Sequence, residues 1–478
     1  MTAERLHQQT WARVALALIV VGALALAGYA AVVTDLVDVS WGAGKSAATP
    51  SATPSHQPTP TPKPTPSPTR TPAERVLDAL ETGALPTREG ILAKVADPLS
   101  SQGVGPHVGV AIRDALTGKL LYGKGNDAGY VPASTTKIVT ATAVLAALGP
   151  QHRFETKVVE GAKPGQIVLV GGGDPLLATK AAKGYPERAT IEDLAAATAK
   201  ELKKRKLTQV DVLVDANLFK QPISPQWEPQ YVPGSVVSRI TALWVNEGRT
   251  RPGARPRSKD PARAAGQAFA EALVANGIKA GASEGTAANG AEVIARVESA
   301  PLDEIVEHVL TTSDNEGAEV LARHVALSQD LPATFGGAIE GVQAVLGQLG
   351  VDATDLRIYD GSGLSRQNKL TPNAISSVLA LAAHPDHPEL RAVLTGLPVA
   401  GFSGTLDERF GGEASDPGEG VVRAKTGTLT GIASLAGVVT TKDGALLTFA
   451  LMADRTTAGD PRLGLDRAAA ALATCGCR

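Results

Sequence analysis

The chain carries almost no net charge. Its 46 Lys and Arg against 48 Asp and Glu leave a formal charge of -2, so no basic face announces a polyanion and nucleic acid is not the expected ligand. Cysteine is nearly absent as well: both residues, Cys475 and Cys477, sit at the C-terminal end, one glycine apart. That excludes a core disulfide framework, and two thiols do not supply the four ligands of a structural zinc site. The pair is compatible with a local disulfide or with pairing between chains, and spacing does not choose between them. His384 and His387 flank Pro385-Asp386 with no further ligand near them in the sequence. They read as surface histidines, and neither a metal nor a cofactor is implied. Basic residues gather twice, at 203–206 and between Arg249 and Arg263. The first group closes an alanine-rich helical pattern and reads as a solvated face. The second is broken by Pro252, Pro256 and Pro261, so it cannot be one helix and reads as an exposed loop.

Hydrophobic residues make up 43% of the 478-residue chain, enough for a large core. Residues 14–33 form an uncharged apolar run, about the 20 residues that span a bilayer. Arg5 and Arg13 precede it and Asp35 and Asp38 follow it, which by the positive-inside rule places 1–13 in the cytoplasm and the rest outside. A cleaved signal peptide ending near Ala30 and Ala31 is the rival, but the run exceeds the usual 7 to 15 residue core of such peptides, with about 20 residues in all. The expectation is therefore a single-pass transmembrane anchor. Residues 34–72 follow, with proline alternating with Thr and Ser from Pro50 to Pro72. That composition favours extended polyproline II with a reach of roughly 70 Å and reads as a disordered tether.

Folding patterns start near residue 73. Strands are expected over 108–113 and 120–122 around a Thr117-Gly118 turn. After Pro132-Ala133-Ser134, apolar Ile138, Ala141, Leu145 and Leu148 recur at helical spacing until Gly149-Pro150, so Ser134 opens a buried helix. Between 156 and 300, strands at 167–170, 210–214 and 293–297 alternate with helices starting at 191 and covering 262–275. This reads as a small α/β module inserted between 73–155 and 301–478. Helical patterns return at 302–310 and 316–327. Three strands follow at 421–428, 433–440 and 445–452, the last two joined by Lys442-Asp443-Gly444, and a terminal helix at 464–474 covers them.

Chemistry is suggested by three short motifs. Ser134 and Lys137, three apart at a helix start, share a face, so the amine reaches the hydroxyl. Alone this pair is weak, because a serine at a helix start is usually a cap. Ser313-Asp314-Asn315 on a turn between predicted helices, and Lys425-Thr426-Gly427 on a predicted strand, change the balance. A serine hydroxyl needs a base before it attacks. A lysine with an ordinary pKa near 10.4 is protonated at neutral pH, so Lys137 has to be depressed by burial and by a second cation, for which Lys425 is the candidate. Ser313 is placed to relay a proton to a leaving amine and Asn315 to hold a peptide carbonyl, with Thr426, Gly427 and Thr428 at a substrate carboxylate. The N–H groups of Ser134 and Thr428 would form an oxyanion hole, roughly 3 kcal/mol per donor.

The trio in this order resembles the motif set of penicillin-binding proteins and class A β-lactamases. From about residue 85 onward the chain is similar to the D-alanyl-D-alanine carboxypeptidase/endopeptidase family, the class C low-molecular-mass penicillin-binding proteins or S13 peptidases. The resemblance rests on GGGDP at 171–175, DGSGLSR at 360–366, GFSGTLDERF at 401–410 and KTGTLTG at 425–431. It implies an α/β (α+β) fold: a transpeptidase/β-lactamase-like domain, its antiparallel sheet flanked by helices, interrupted by an α/β insertion shorter than in the larger members. It implies a Ser134 acyl-enzyme acting on peptidoglycan stem peptides, β-lactam antibiotics as covalent inhibitors, and a catalytic domain on the cell-wall side of the cell membrane. Removal of terminal D-alanine and cutting of cross-links both remain open, since each presents the same D-alanyl centre. Ser362 and Arg366 are candidates for the cleft floor or for substrate contact, and GGGDP reads as a turn. Two rivals stand beside this reading. A serine β-lactamase needs a deacylating device, and no glutamate-bearing loop of that kind is recognisable between Asn315 and Lys425. A catalytically silent wall-binding protein would not need Ser134, Lys137, Asn315 and Lys425 intact.

Overall fold

The computed structural model describes residues 83–478 except 102, 353–355, 458 and 478. The expected cytoplasmic segment, anchor and tether, 1–72, lie outside the described residues. Among the described residues no helix is long and apolar enough to cross a membrane.

The chain enters through α1 (Arg88–Ser100), whose first turn is capped by the Thr87 hydroxyl accepting from Gly90 N–H. The hairpin β1 (His107–Asp114) and β2 (Leu120–Lys124) follows, then a single 3-10 turn, Ala133–Thr135, that runs into α2 (Thr136–Leu148). Next come β3 (Glu155–Glu160), β4 (Gln166–Val170), α3 (Ile191–Lys204), β5 (Gln209–Asp215), α4 (Pro261–Ala275), β6 (Lys279–Glu284) and β7 (Val293–Glu298). Then α5 (Leu302–Thr312), α6 (Asn315–Ser328), α7 (Phe335–Gln348), α8 (Pro372–Ala383) and the short α9 (Ala392–Thr395) lead to β8 (Arg423–Leu429), β9 (Ile432–Thr440), β10 (Leu446–Asp454) and α10 (Pro461–Ala473).

Two sheets organise these elements. The first has the order β2-β1-β10-β9-β8 and is antiparallel throughout. Its centre joins the two ends of the folded chain, with Val110 opposite Leu451 and Ile112 opposite Phe449. Eight of the nine β9 residues are buried, the pattern of a strand covered on both faces. On one face Ile91, Val95 and Leu99 of α1 and Leu465, Ala469 and Leu472 of α10 pack against Phe449 and Leu451. On the other, α2, α5, α6, α7 and α8 form a cluster that includes Ile138, Leu145, Leu321, Leu379 and Met452. The second sheet, β6-β5-β4-β3-β7, lies wholly within 155–298. There β4, β5 and β6 are parallel while β3 is antiparallel to both neighbours. Leu194 and Leu202 of α3 and Phe269 and Leu273 of α4 pack with Ile167, Leu169 and Val212.

Several elements escape the sequence patterns. β6 (KAGASE) has no fully buried residue, being an edge strand with nothing to bury. α7 holds Gly336, Gly337, Gly341 and Gly347, which lower intrinsic helix propensity until packing on α6 overrides it. The Arg249–Arg263 stretch divides: Pro261 is the first residue of α4, where a proline lacks nothing the helix needs, and Asp260 caps Arg263 N–H. Cys475 and Cys477 are bonded to each other, and the Cys477 carbonyl accepts from Thr87 N–H at 2.7 Å, tying the C-terminal segment to the start of α1.

Candidate active site

Ser134 lies on the 3-10 turn before α2, packed against the KTG stretch in the middle of β8. The turn is tight: Ala133 has φ of +47°, unusual for a residue with a side chain. Two glycines permit it. A Cβ on Gly427 would stand 2.4 Å from the Pro132 carbonyl and 2.2 Å from Ser434 Oγ, and one on Gly363 would stand 1.8 Å from the Ala133 carbonyl. Only glycine lets β8 and the DGSGLSR loop close on the serine turn from two sides. Ser134 itself is half-buried.

Lys137, one turn on, is fully buried. Its Nζ lies 3.0 Å from Ser134 Oγ, 2.8 Å from Asn315 Oδ1 and 2.7 Å from the Ser362 carbonyl. Three acceptors surround it. Burial pulls its pKa from 10.5 down to about 8, against the attraction of Asp314, Asp360, Glu319 and Glu316, which favour the charged form. Lys425, also fully buried, donates to the Thr426 carbonyl at 3.1 Å. It is pushed well below its ordinary value by burial first, then by Lys137 and Arg409. Burial is the first cause of the lowering for both amines, and the repulsion between Lys137 and Lys425 further disfavours charge on the pair.

The second motif sits at the α5–α6 junction, where Ser313 adopts the left-handed conformation with φ of 59° and Asn315 opens α6. The Asn315 amide is engaged on both sides, its Oδ1 by Lys137 and its Nδ2 by the Val236 carbonyl at 3.3 Å. In the third motif, Thr426 Oγ1 lies 2.8 Å from Thr405 Oγ1 of the 401–410 stretch. Thr428 is exposed, as a carboxylate or oxyanion contact has to be. Arg366 donates to the Thr430 carbonyl at 3.1 Å and lies 3.8 Å from Glu228, so it bridges the loop after KTG to the 155–298 region. Of the two places expected for Ser362, cleft floor and substrate contact, its burial excludes direct side-chain contact. It is fully buried and turns its carbonyl to Lys137 while its N–H donates to Glu319 Oε1 at 2.9 Å. Its side chain has no surface to offer a substrate.

Three supports went unread in the sequence. The buried Asp360 accepts from Gly363 N–H and Asn368 Nδ2 on one oxygen and from Ser365 N–H and Trp227 Nε1 on the other, at 2.6–2.9 Å. An aspartate before a glycine-rich turn was the available signal. Glu319, raised to about 7 mainly by burial and Asp360, pairs with the equally buried Arg323 at 3.7 Å, the guanidinium lying 4.1 Å from the Phe335 ring centre. Arg257, placed by sequence in an exposed loop, has a side chain only 7% exposed that bonds Glu316 at 2.7 Å. Nothing in the local sequence marks the last two. GGGDP is a turn, with Asp174 Oδ1 accepting from Leu176 N–H and Gly173 O meeting His324 Nε2 at 2.9 Å.

Glu247, His308 and Asp314 bring possible metal ligands within 4.8 Å of one another. The position already holds a cation, because Arg188 lies 2.9 Å from Glu247 Oε1 and 3.4 Å from His308 Nε2. With burial, that guanidinium keeps His308 near a pKa of about 4. His384 and His387 pair with Asp386 and Glu389.

A serine whose hydroxyl touches a buried, depressed lysine, framed by a second lysine and an asparagine, is equipped for acyl transfer. The chain matches the family described as D-Ala-D-Ala carboxypeptidase 3 (S13) over residues 91–259 and 252–474, and it belongs to that family. It is 38% identical over 412 residues to a carboxypeptidase of Mycobacterium tuberculosis, covering 84% of this chain and 87% of the relative. It is 29% identical over 446 residues to a D-alanyl-D-alanine carboxypeptidase of Actinomadura sp., covering 75% and 79%. In fold it is similar to penicillin binding protein 4 of Haemophilus influenzae, with a TM-score of 0.64, 22% identity and coverage of 78% and 97%.

Proposed function

We propose that this chain is a penicillin-binding serine D-alanyl-D-alanine carboxypeptidase, with D,D-endopeptidase action on the same centre, that processes peptidoglycan stem peptides through an acyl-enzyme on Ser134. The observation that carries the reading is the 3.0 Å contact between Ser134 Oγ and a Lys137 Nζ whose pKa lies near 8. Neutral Lys137 takes the hydroxyl proton as the oxygen attacks the D-alanyl carbonyl. The N–H groups of Ser134 and Thr428 receive the developing oxyanion. Ser313 passes the proton on to the departing amine, and Thr426, Thr428 and Lys425 receive the terminal carboxylate. Water then releases the peptide.

The uncharged run at 14–33 and its flanking charges support a membrane anchor with the catalytic domain on the cell-wall side. The cores of the two sheets support the reading of 156–300 as an insertion into the domain formed by 73–155 and 301–478. A benzylpenicillin adduct mapped by mass spectrometry, measured beside D-alanine release from a D-alanyl-D-alanine peptide, tests the function. A single adduct on the Ser134 peptide, lost in Ser134→Ala together with D-alanine release, is expected. Labelling of another serine, or D-alanine release that survives Ser134→Ala, refutes it.

A further inference from the structure

We infer that the insertion is part of the catalytic apparatus: through Arg257, Ser238 and Val236 it positions the second motif, and with it the acceptor that Asn315 presents to Lys137. This deepens the acyl-enzyme reading and rests on it.

The contacts are few and centre on a buried carboxylate. Glu316, next to Asn315 in the first turn of α6, has a side chain only 3% exposed. Its Oε1 accepts from Arg257 Nε at 2.7 Å and from Ser238 N–H at 3.0 Å. Two residues before Ser238, the Val236 carbonyl accepts from Asn315 Nδ2. An amide whose nitrogen is held on one side presents its oxygen on the other, and there Lys137 Nζ lies 2.8 Å away. Just beyond, Glu247 Oε1 and Oε2 are held by Arg188 and Arg249, each at 2.9 Å. These guanidiniums counter the carboxylates that crowd Asp314, whose pKa stands well above its ordinary value because of burial and then Glu247 and Glu316. The same stretch is anchored from behind: Trp227, Val237 and Trp244 pack with Val320 of α6, Phe335 of α7 and Leu364 of the DGSGLSR loop. Motif two therefore has a wall on one side made wholly of the insertion. Removing one partner of a buried pair leaves an uncompensated charge, here one residue from Asn315.

The charges facing Lys137 are Asp314, Asp360, Glu319 and Glu316 on one side and Lys425 on the other. Arg257 tempers the Glu316 contribution. Its loss leaves Glu316 free to favour the charged form of Lys137, so the pH at which Lys137 becomes neutral moves up. Neutralising Glu316 moves it down. A purely structural contact would lower stability without moving this midpoint in opposite directions.

The test measures single-turnover acylation by a fluorescent penicillin from pH 6 to 10 on the full chain, with melting temperatures recorded in parallel. Wild type is the control for the functional reading: if it does not acylate, that reading fails and not this one. Arg257→Met should acylate at least tenfold more slowly at pH 7, with its midpoint raised. Arg257→Lys should recover most of the rate, and Glu316→Gln should lower the midpoint. Arg205→Ala, at an exposed ion pair of the insertion with Glu160 and Glu292, should match wild type. If Arg257→Met does not fold, Arg257→Lys and Glu316→Gln carry the test. The inference is overturned if the folded variants acylate like wild type, or if the midpoint stays fixed while only melting temperature falls.

Discussion

Replacing Lys137 by arginine separates charge from basicity at the point where the mechanism needs the difference. With a pKa of about 8, about 9% of Lys137 is neutral at pH 7, about half at pH 8 and about 90% at pH 9. An ordinary lysine would be neutral in roughly 0.03% of molecules at pH 7, so burial gains some 300-fold in base, about 3 kcal/mol. The sign follows from the direction of the shift: a lowered pKa makes the base form available at lower pH, so acylation rises with pH through about 8 and then levels off. Arginine keeps the cation but, with a pKa above about 12, offers a neutral fraction of about 1 in 100,000 or less. Lys137→Arg should therefore acylate about 10,000-fold more slowly at pH 7. Lys425→Arg, which leaves the Ser134 base in place, should keep measurable acylation although its planar fork fits the carboxylate site less well. The assay is the single-turnover rate of penicillin adduct formation across pH, after circular dichroism has shown that both variants fold. A rate flat between pH 6 and 9, or a Lys137→Arg enzyme that acylates as fast as Lys425→Arg, refutes Lys137 as the base.

Because burial, Lys137 and Arg409 hold Lys425 well below its ordinary pKa, an arriving carboxylate should raise it. Calorimetry of penicillin binding to Ser134→Ala from pH 6 to 10, in buffers of different ionisation enthalpy, should show proton uptake within that range that disappears in Ser134→Ala/Lys425→Met; no uptake at any pH in the former refutes this. Gly427→Ala forces a Cβ to within 2.4 Å of the Pro132 carbonyl, so β8 or the serine turn must shift. A displacement approaching 1 Å costs about 100-fold, and acylation should fall by that much with the fold retained; an unchanged rate refutes the close-packing argument. Asp360→Asn offers one acceptor oxygen where two now receive four donors. It should lose about 2–4 kcal/mol in urea unfolding, and a loss below about 0.5 kcal/mol refutes the hub role.

By itself the sequence determined what depends on local spacing and composition. Three residues at a helix start put Lys137 beside Ser134 whatever the rest of the chain does, and apolar Ile138, Ala141 and Leu145 make that helix one for the interior. The Thr117-Gly118 turn marked the first hairpin, and Lys442-Asp443-Gly444 marked the turn between β9 and β10. The family resemblance then assembled the motifs in order. What the tertiary structure decided is everything carried by contacts distant along the chain. Lys137 meets Asn315 across 178 positions and Ser362 across 225, and no periodicity encodes such meetings. That both lysines are depressed depends on their burial and on the charges buried around each. Ser362 was a candidate for the cleft floor or for substrate contact through the DGSGLSR resemblance, and only the folded chain buries its side chain and turns its carbonyl to Lys137. Arg257 looked like a surface cation because its neighbours are prolines and arginines, yet it ends on Glu316. Local sequence reports what a residue can do, whereas burial and distant charge fix its pKa and direction, and these exist only once the chain has folded.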